Sequence, residues 1–177
     1  MQEIIQRIAK GEESALVELI NIMQKRVFSY CFSLVGNYED AEEITSDVFF
    51  QIWKSASNFK NLSTPTTWIF GIARNLCLNH LRKKKFHFQE LLESDAVFNP
   101  SEEQELSATV EEIRQALTKL SPIQREILYL VFYEEMDYKS IATLLKIPEN
   151  TVKTRVFNAK RKLKEILSHE RTNQASV

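Results

Sequence analysis

Hydrophobic residues in the first 85 positions recur at steps of three and four, the spacing of one face of an α-helix. One such series runs through residues 5–31, and residues 36–40 then supply a turn and an acidic helix start. A third helix carries Ile44, Val48, Phe49, Ile52 and Trp53. After a polar stretch at 57–65, a fourth helix is predicted from Pro65, since proline loses no hydrogen bond at the first helical position. These helices predict a compact N-terminal domain.

The second half of the chain has the same helical periodicity after an interruption. Residues 89–110 lack sustained periodicity and contain the helix-breaking sequence Asn-Pro-Ser at 99–101, so we predict a linker, partly helical at 88–92. From about residue 110, the pattern predicts a second helical domain, followed by a polar, frayed end. Its predicted helices cover residues 111–119, 122–132, 138–145 and 149–167.

The predicted fold class is all-α, with two small helical domains joined by an acidic flexible linker. Three glycines and four prolines in 177 residues agree with long helices and not with a turn-rich β architecture. The predicted boundaries are a first domain at 1–88, a linker at 89–110, a second domain at 111–168 and a tail at 169–177.

The composition, 44% hydrophobic and 27% charged, is ordinary for a soluble protein with a buried core. The N-terminus lacks the basic and apolar regions of a secretory signal, and no apolar run approaches the ~18 residues of a membrane helix. We therefore expect a cytoplasmic protein with no membrane contact of its own. Cys31 and Cys77 each lie within an apolar helical pattern, which favours buried structural thiols over a disulfide or metal role. No metal or cofactor is predicted.

The net charge of −1 conceals an uneven distribution along the chain. Residues 89–112 contain eight acidic residues and no Lys or Arg, whereas residues 146–164 contain seven basic residues and one acidic residue. A second basic run occupies 82–85. Any single run is ordinarily a solvated surface, so the informative feature is the arrangement, in which an acidic connector separates two basic patches.

Residues 137–156 have the pattern of a helix-turn-helix, with Ile141, Ala142 and Leu145 facing inward and Ile147 filling the turn. On the second helix, a buried stripe of apolar residues is predicted. The opposite face offers basic groups for phosphates, Asn and Arg for base edges, and an aromatic ring for a thymine methyl. The alternative is a charged helix that packs on its neighbours and binds nothing. The predicted stripe consists of Val152, Val156, Ala159, Leu163 and Leu167.

The helix at 40–53 has two apolar aspects. Ile44, Val48 and Ile52 suit an internal core, whereas Phe49 and Trp53 form a second seam. Acidic groups beside such a seam favour a partner that presents basic side chains on a helix or coiled coil. A fully buried helix, whose acids favour its own N-terminal dipole, is equally compatible with the pattern. The polar residues that border the seam are Glu42, Glu43, Asp47 and Gln51.

The helix from Pro65 combines an aromatic residue near its start with Asn, His and basic residues further along. Aromatic rings can stack on unpaired bases while basic groups hold the phosphates, although Trp68 is equally compatible with the core. The polar loop at 58–67 is long enough to form a small pocket over a flipped base. This segment therefore suggests contact with single-stranded nucleic acid.

The order of these parts resembles the extracytoplasmic-function (ECF) group of the sigma-70 family, which keeps only regions 2 and 4. Residues 40–53 resemble the region 2.2 segment that docks on the clamp helices of the polymerase β′ subunit. Residues 59–84 resemble the regions that melt and read the minus-ten element. Residues 120–128 and the helix-turn-helix resemble region 4, which reads the minus-35 element and touches the β flap. The likeness extends from about residue 15 to residue 167.

The resemblance implies three sets of contact residues and no catalytic ones. The core-polymerase contacts are Asp40, Glu43, Asp47, Phe49, Phe50, Gln51 and Trp53. The minus-ten contacts are Asn58, Phe59, Lys60, Thr67, Trp68, Arg74, Asn75, Asn79, Arg82 and Lys83. The minus-35 contacts, within and just beyond the helix-turn-helix at 137–157, are Asn150, Thr151, Lys153, Thr154, Arg155, Phe157, Asn158 and Arg161.

The implied function is that of a sigma factor, which binds core RNA polymerase and promoter DNA, directs transcription initiation and is controlled by an anti-sigma factor. The acidic linker would then thread through channels of the polymerase, where its charge mimics nucleic acid. Asn150 and Asn158 depart from the family pattern, which usually has Gly before Thr151 and often Arg at 158.

Two other classes fit parts of the sequence. A DNA-binding regulator that acts without replacing sigma would share the helix-turn-helix, since many response regulators carry the same four-helix module. An enzyme acting on nucleic acid finds little support, because there is no phosphate-cradling Gly-rich loop and the three histidines lack metal-like spacing.

Overall fold

The computed structural model describes residues 1–90, 116–117 and 119–174, with side chains described through residue 84 and, in the second part, through residue 168. Every regular element in these ranges is helical, which confirms the all-α class. They form two compact units. The predicted linker beyond Glu90 and most of the predicted helix at 111–119 lie outside the described residues.

The N-terminal unit contains four helices: α1 (Gln2–Ala9), α2 (Glu13–Val35), α3 (Tyr38–Ser55) and α4 (Pro65–Glu90). Gly11, at a φ of 83°, allows the turn between α1 and α2, and Gly36, at a φ of 70°, ends α2. The side chain of Asn37 then accepts a hydrogen bond of 2.8 Å from the Asp40 amide and caps α3. A single 3₁₀ turn (Ala56–Asn58) follows α3. Turn and capping residues thus define the starts and ends of these helices.

The core of the N-terminal unit lies among all four helices. Tyr30 of α2 and Phe70 of α4 are fully buried and meet edge to face, with ring centroids 4.9 Å apart. Such a pair contributes about 0.5–1.5 kcal/mol beyond the burial of its area. Helix α3 packs against α1, α2 and α4, so a large part of its circumference is covered. The other large, fully buried side chains are Ile5, Leu19, Met23, Val27, Val48, Ile52 and Ile69.

Both cysteines belong to this core. Cys31 and Cys77 are free thiols with no exposed surface, which confirms the prediction of buried thiols. A hydrogen bond with the Cys77 thiol lowers the pKa of Cys31 against the opposing effect of burial, and Thr45 adds a smaller contribution. The two side chains therefore join α2 to α4.

The C-terminal unit contains α5 (Pro122–Leu128), α7 (Glu149–Gln174) and most of α6 (Tyr138–Leu145). A capping box of Ser121 and Gln124 starts α5. A π-helical turn (Tyr129–Tyr133) follows α5 directly, so the helical segment ends one residue after the predicted end at 132. Asp137 caps α6 through the Ser140 amide at 2.7 Å.

The last helix is longer than the sequence predicts. Helix α7 continues to Gln174, whereas the predicted helix ends at residue 167 and is followed by a frayed tail. Residues 168–174 contain neither glycine nor proline, so nothing in the chain opposes continuation of the helix. The prediction of a frayed tail is therefore wrong for residues 169–174, which are helical.

Helices α6 and α7 form the predicted helix-turn-helix. Lys146 ends α6 in the left-handed conformation, at a φ of 55°, and the Ile147 amide donates to the Ala142 carbonyl at 3.1 Å. Ile141 is fully buried, and so are Val152, Val156 and Ala159 on α7. Leu163 and Leu167 are only half-buried, so the fully buried part of the predicted stripe ends at Ala159. No described helix has both the length and the apolar character needed to cross a membrane.

Candidate functional site

The outward face of α7 consists of solvent-exposed side chains that are polar or basic around one aromatic ring. Phe157 is 65% exposed. Thr151 and Arg155 are half-buried at the edges of this face. The sequence prediction and the observed exposure agree for each of its remaining members, which are Asn150, Lys153, Thr154, Asn158 and Arg161.

The basic groups on this face are only weakly held by the protein. Lys153 pairs with Glu149 at 3.1 Å, and Arg161 lies 3.9 Å from Glu165, both one turn apart on the helix. Exposed pairs of this kind contribute about 0.3–0.5 kcal/mol. A phosphate can therefore replace the carboxylate partner at little cost. The geometry suits a helix that enters a DNA groove.

A second surface on the C-terminal unit was not identified from the sequence. Phe132 and Tyr133, in the π-helical turn, are 59% and 56% exposed. The Lys160 ammonium lies 4.7 Å from the centre of the Phe132 ring. Beside it is a largely apolar groove of about 410 Å³. The residues that line this groove are Phe132, Lys160, Leu163, Lys164, Leu167 and Ser168.

The two neighbouring phenylalanines of α3 differ in environment. Phe49 is 6% exposed, whereas Phe50 is 56% exposed with the Lys54 ammonium 4.1 Å from its ring centre. Trp53 is half-buried. For Phe49, burial favours the core alternative over the predicted surface seam, because α3 is covered by three other helices. The exposed face of α3 is therefore formed by Phe50 together with Glu42, Glu43, Asp47 and Gln51.

Asp40, predicted as a polymerase contact, is directed toward α4. One oxygen, Oδ2, accepts a hydrogen bond from the Lys84 ammonium at 2.8 Å and lies 3.1 Å from Nε2 of His80. Partial burial alone would raise the pKa of this carboxyl, but the Lys84 hydrogen bond and the charges of His80 and Lys84 lower it below its ordinary value. Its environment thus differs from that of the exposed Glu43 and Asp47.

A groove of about 770 Å³ lies between α2 and α3. Phe28 of α2 and Tyr38 of α3 meet with ring centroids 5.1 Å apart. The sequence indicated the acidic α3 side of this surface, but not the α2 side, since no local pattern joins positions some twenty residues apart. The lining residues are Asn21, Gln24, Lys25, Phe28, Tyr38, Glu39, Glu42, Glu43, Thr45 and Ser46.

The loop before α4 is held in place by its own side chains. The rings of Phe59 and Trp68 lie 5.0 Å apart, and Trp68 is half-buried. The Thr64 and Thr67 hydroxyls lie 2.8 Å apart, and the Thr67 amide donates to the Thr64 hydroxyl at 3.1 Å. Thr67 lies in the first turn of α4, which begins at Pro65. It is only 3% exposed, so it is not available as a surface contact in this conformation. Leu62, by contrast, is 88% exposed.

Further along α4, polar and basic side chains share a solvent-exposed face. Asn75, Asn79, Arg82 and Lys83 are exposed, with Asn79 four residues after Asn75 and Arg82 and Lys83 three and four residues after Asn79, while Arg74 is half-buried. The Arg82 guanidinium donates to the Asn79 side chain at 3.4 Å. In the preceding loop, Asn58 and Lys60 are also exposed, and Phe59 is half-buried. Within the described ranges, no group of three or more His, Cys, Asp or Glu side chains has the geometry to hold a metal ion.

Comparison with known proteins matches both units. Residues 19–87 match the Sigma-70 region 2 family, and residues 110–163 match the Sigma-70, region 4 family. The chain is similar to the ECF RNA polymerase sigma factor SigW of Bacillus subtilis, with 27% identity over 92% of this chain and 94% of the relative. It is also similar to the RNA polymerase sigma-H factor of Pseudomonas aeruginosa, with 25% identity over 94% and 93% of the two chains.

Among solved structures, the chain is similar to the sigma factor RpoE of Bartonella quintana, which was crystallised in complex with the anti-sigma factor NepR. The TM-score is 0.70, at 25% identity over 85% of this chain and 95% of that one. The two units thus define the class of protein, a transcription initiation factor that binds core RNA polymerase and promoter DNA. The chain belongs to the sigma-70 family, within its ECF group of RNA polymerase sigma factors.

Proposed function

We propose that the exposed face of α3 docks this sigma factor on core RNA polymerase. The observation that carries the proposal is the position of Glu43, Asp47 and Gln51 in solvent beside Phe50, whose ring is 56% exposed. An aromatic anchor surrounded by acidic groups suits a partner helix that carries basic and apolar side chains. The half-buried Trp53 borders this face, and the groove between α2 and α3 extends it.

The loop before α4 and the exposed face of α4 read and open the minus-ten element in this proposal. The half-buried rings of Phe59 and Trp68 offer stacking surfaces for unpaired bases, and Arg82 and Lys83 supply charge for the backbone. Thr67 is buried in the first turn of α4, so its role in this proposal is structural. The bases would then be bound by Asn58, Lys60, Asn75 and Asn79 as well.

The outward face of α7 reads the minus-35 element. Its exposed basic residues supply phosphate contacts, and Asn150, Phe157 and Asn158 face the bases. The groove beside Phe132 is a separate surface and offers the polymerase β flap an apolar site bordered by Lys160 and Lys164. An extended groove of this kind suits an amphipathic helix.

Control by an anti-sigma factor is the regulatory part of the proposal. Its support is the similarity, at 25% identity, to a sigma factor that was crystallised with its anti-sigma factor. Such a partner would cover the α3 docking face and compete with core polymerase. The chain acts in the cytoplasm, where polymerase and chromosome meet, and contributes no catalysis of its own.

Reconstitution with core RNA polymerase tests the function as a whole. Holoenzyme assembled from core and this chain is expected to start transcripts at a defined set of genomic sites that core alone does not use. The chain alone is expected to bind promoter duplex poorly. Tight and specific duplex binding without polymerase, with no specific transcripts in its presence, would instead assign the chain to the regulators that do not replace sigma.

The docking face is tested by a core-affinity measurement with matched variants. Phe50→Ala and the pair Glu43→Gln with Asp47→Asn are each expected to weaken core binding by roughly tenfold or more, as anchors at an interface do. The controls are Val17→Ala and Glu13→Gln, which remove an exposed apolar and an exposed acidic side chain from α2. Equal affinity of the α3 variants and the α2 controls would refute this docking face.

A further inference from the structure

Three side chains from two helices meet at the start of α3. Asp40, in the first turn of α3, lies between His80 and Lys84, which are one turn apart on α4. The same carboxylate oxygen is 2.8 Å from the Lys84 ammonium and 3.1 Å from Nε2 of His80. The Asp40 side chain is 19% exposed, and that of Lys84 is 57% exposed. The arrangement links α3, the proposed docking helix, to the basic end of α4, the proposed DNA-binding helix.

The accessibility of Asp40 separates it from the other acids of α3. Glu43 and Asp47 are exposed and have room for a partner, whereas the Asp40 carboxylate already faces two nitrogen atoms of α4. A mostly buried carboxylate holds a cation more strongly than an exposed one does, because less water competes for the charge. An incoming polymerase helix would therefore meet a carboxylate whose charge Lys84 already offsets.

The same contact separates Lys84 from its neighbour Lys83. Both lysines belong to the basic run at 82–85, and both are exposed. The ammonium of Lys84 is directed back to Asp40, across a separation of 44 residues in the chain. A lysine whose charge is already neutralised gains less from a DNA phosphate, and it releases fewer counterions from the DNA.

We propose that Asp40 is a positioning residue of the DNA-binding surface, which holds Lys84 away from the DNA backbone, and that it makes no contact with the polymerase. The inference rests on the proposed function of α3 and α4. It gives adjacent lysines different roles, since Lys83 binds phosphate and Lys84 does not. It also replaces the polymerase role that the sequence suggests for Asp40.

A comparison of the two lysines tests the proposal with surface substitutions alone. The dissociation constant of holoenzyme from promoter DNA is measured over a range of salt concentrations for Lys83→Ala and Lys84→Ala. Lys83→Ala is expected to reduce the slope of log K against log salt by about 0.7–0.9, the value of one phosphate contact. Lys84→Ala is expected to leave the slope unchanged. An equal loss of slope in both variants would overturn the proposal.

The carboxylate itself is tested by Asp40→Asn, alone and combined with Lys84→Ala. Asp40→Asn frees Lys84, so the salt slope is expected to become steeper by about 0.7–0.9, and Lys84→Ala should cancel this gain. Core affinity should stay within about twofold of wild type for Asp40→Asn, whereas the pair Glu43→Gln with Asp47→Asn, already expected to weaken docking, is the positive control. A loss of core affinity in Asp40→Asn like that in the control pair would refute the inference.

The outcomes also separate this inference from the proposed function. If wild-type holoenzyme yields no specific transcripts, the proposed function fails and this inference fails with it. If the wild type initiates normally but the two lysine variants behave alike, only the role of Asp40 and Lys84 is wrong. Thermal unfolding of each variant identifies changes that come from folding.

Discussion

Helices α3 and α7 both combine an apolar stripe with charged residues, but the two units leave them different amounts of free surface. Helix α3 packs against α1, α2 and α4, and side chains that look external in the sequence are partly buried there. Helix α7 packs mainly on α5, and its outward face is exposed apart from the half-buried Thr151 and Arg155 at its edges. Helical periodicity therefore locates a functional face best where a helix has a single packed side.

The largest expected effect tests this difference at two adjacent residues of α3. Phe49→Ala should lower the free energy of unfolding by about 3–5 kcal/mol, because it leaves a cavity in the core. Phe50→Ala should change it by less than about 0.5 kcal/mol, because its ring is at the surface. Urea unfolding followed by circular dichroism measures both. Similar stabilities for the two variants would contradict the buried position of Phe49.

The second prediction concerns the free face of α7. Removing two phosphate contacts with Lys153→Ala and Arg161→Ala should flatten the salt slope of promoter binding by about 1.8. The ratio of wild-type affinity to variant affinity should therefore fall roughly tenfold as the salt concentration rises from about 50 to 200 mM. Lys10→Ala, which removes an exposed lysine between α1 and α2, is the matched control and should keep the wild-type slope. A wild-type slope in the double variant would show that these side chains miss the phosphates.

The third prediction compares a neutral N-cap in the N-terminal unit, Asn37, with a charged N-cap in the C-terminal unit, Asp137. Asn37→Ala and Asp137→Ala should each cost about 1 kcal/mol in the free energy of unfolding. The Ser140 amide holds the pKa of Asp137 below its ordinary value, so the charged cap stabilises the fold above a pH of about 4. This contribution is lost as the pH falls through the lowered native pKa.

Unfolding measured from pH 7 down to pH 2 checks the third prediction. Asp137→Asn keeps a capping oxygen without the charge and should remove that part of the acid dependence. Asn37→Ala should leave the acid dependence unchanged, although it lowers stability at every pH. An unaltered pH profile in Asp137→Asn would rule out the charged cap as its source.

The smallest effect on stability is expected at the loop before α4. Leu62→Ser removes a side chain that is 88% exposed and should change the free energy of unfolding by less than about 0.5 kcal/mol. Core affinity should also be unchanged. If the loop contacts the minus-ten element, the fraction of open promoter should fall, which permanganate reactivity of unpaired thymines measures. A large loss of stability would mean that Leu62 packs against the fold.

The sequence predicted the C-terminal unit more closely than the N-terminal one. The inward position of Ile141 was predicted and is confirmed, because it follows from residues a few positions away in the same helix. The contact of Asp40 with Lys84 joins residues 44 apart, and no local pattern contains that information. The same holds for the burial of Phe49, because α3 packs against helices from three other parts of the chain. Phe132 was missed because the π-helical turn changes which side chains face outward.

The burial of Cys31 and Cys77 has a practical consequence for following the two units during transcription. The chain has two cysteines, and neither exposes any surface to a labelling reagent. Maleimide dyes react with accessible thiolates, so a cysteine introduced at an exposed site would be the most reactive thiol in the native protein. Fluorophores placed at the exposed positions Val17 and, in a second variant, Lys119 would report on each unit separately while the core of α2 and α4 keeps its native side chains.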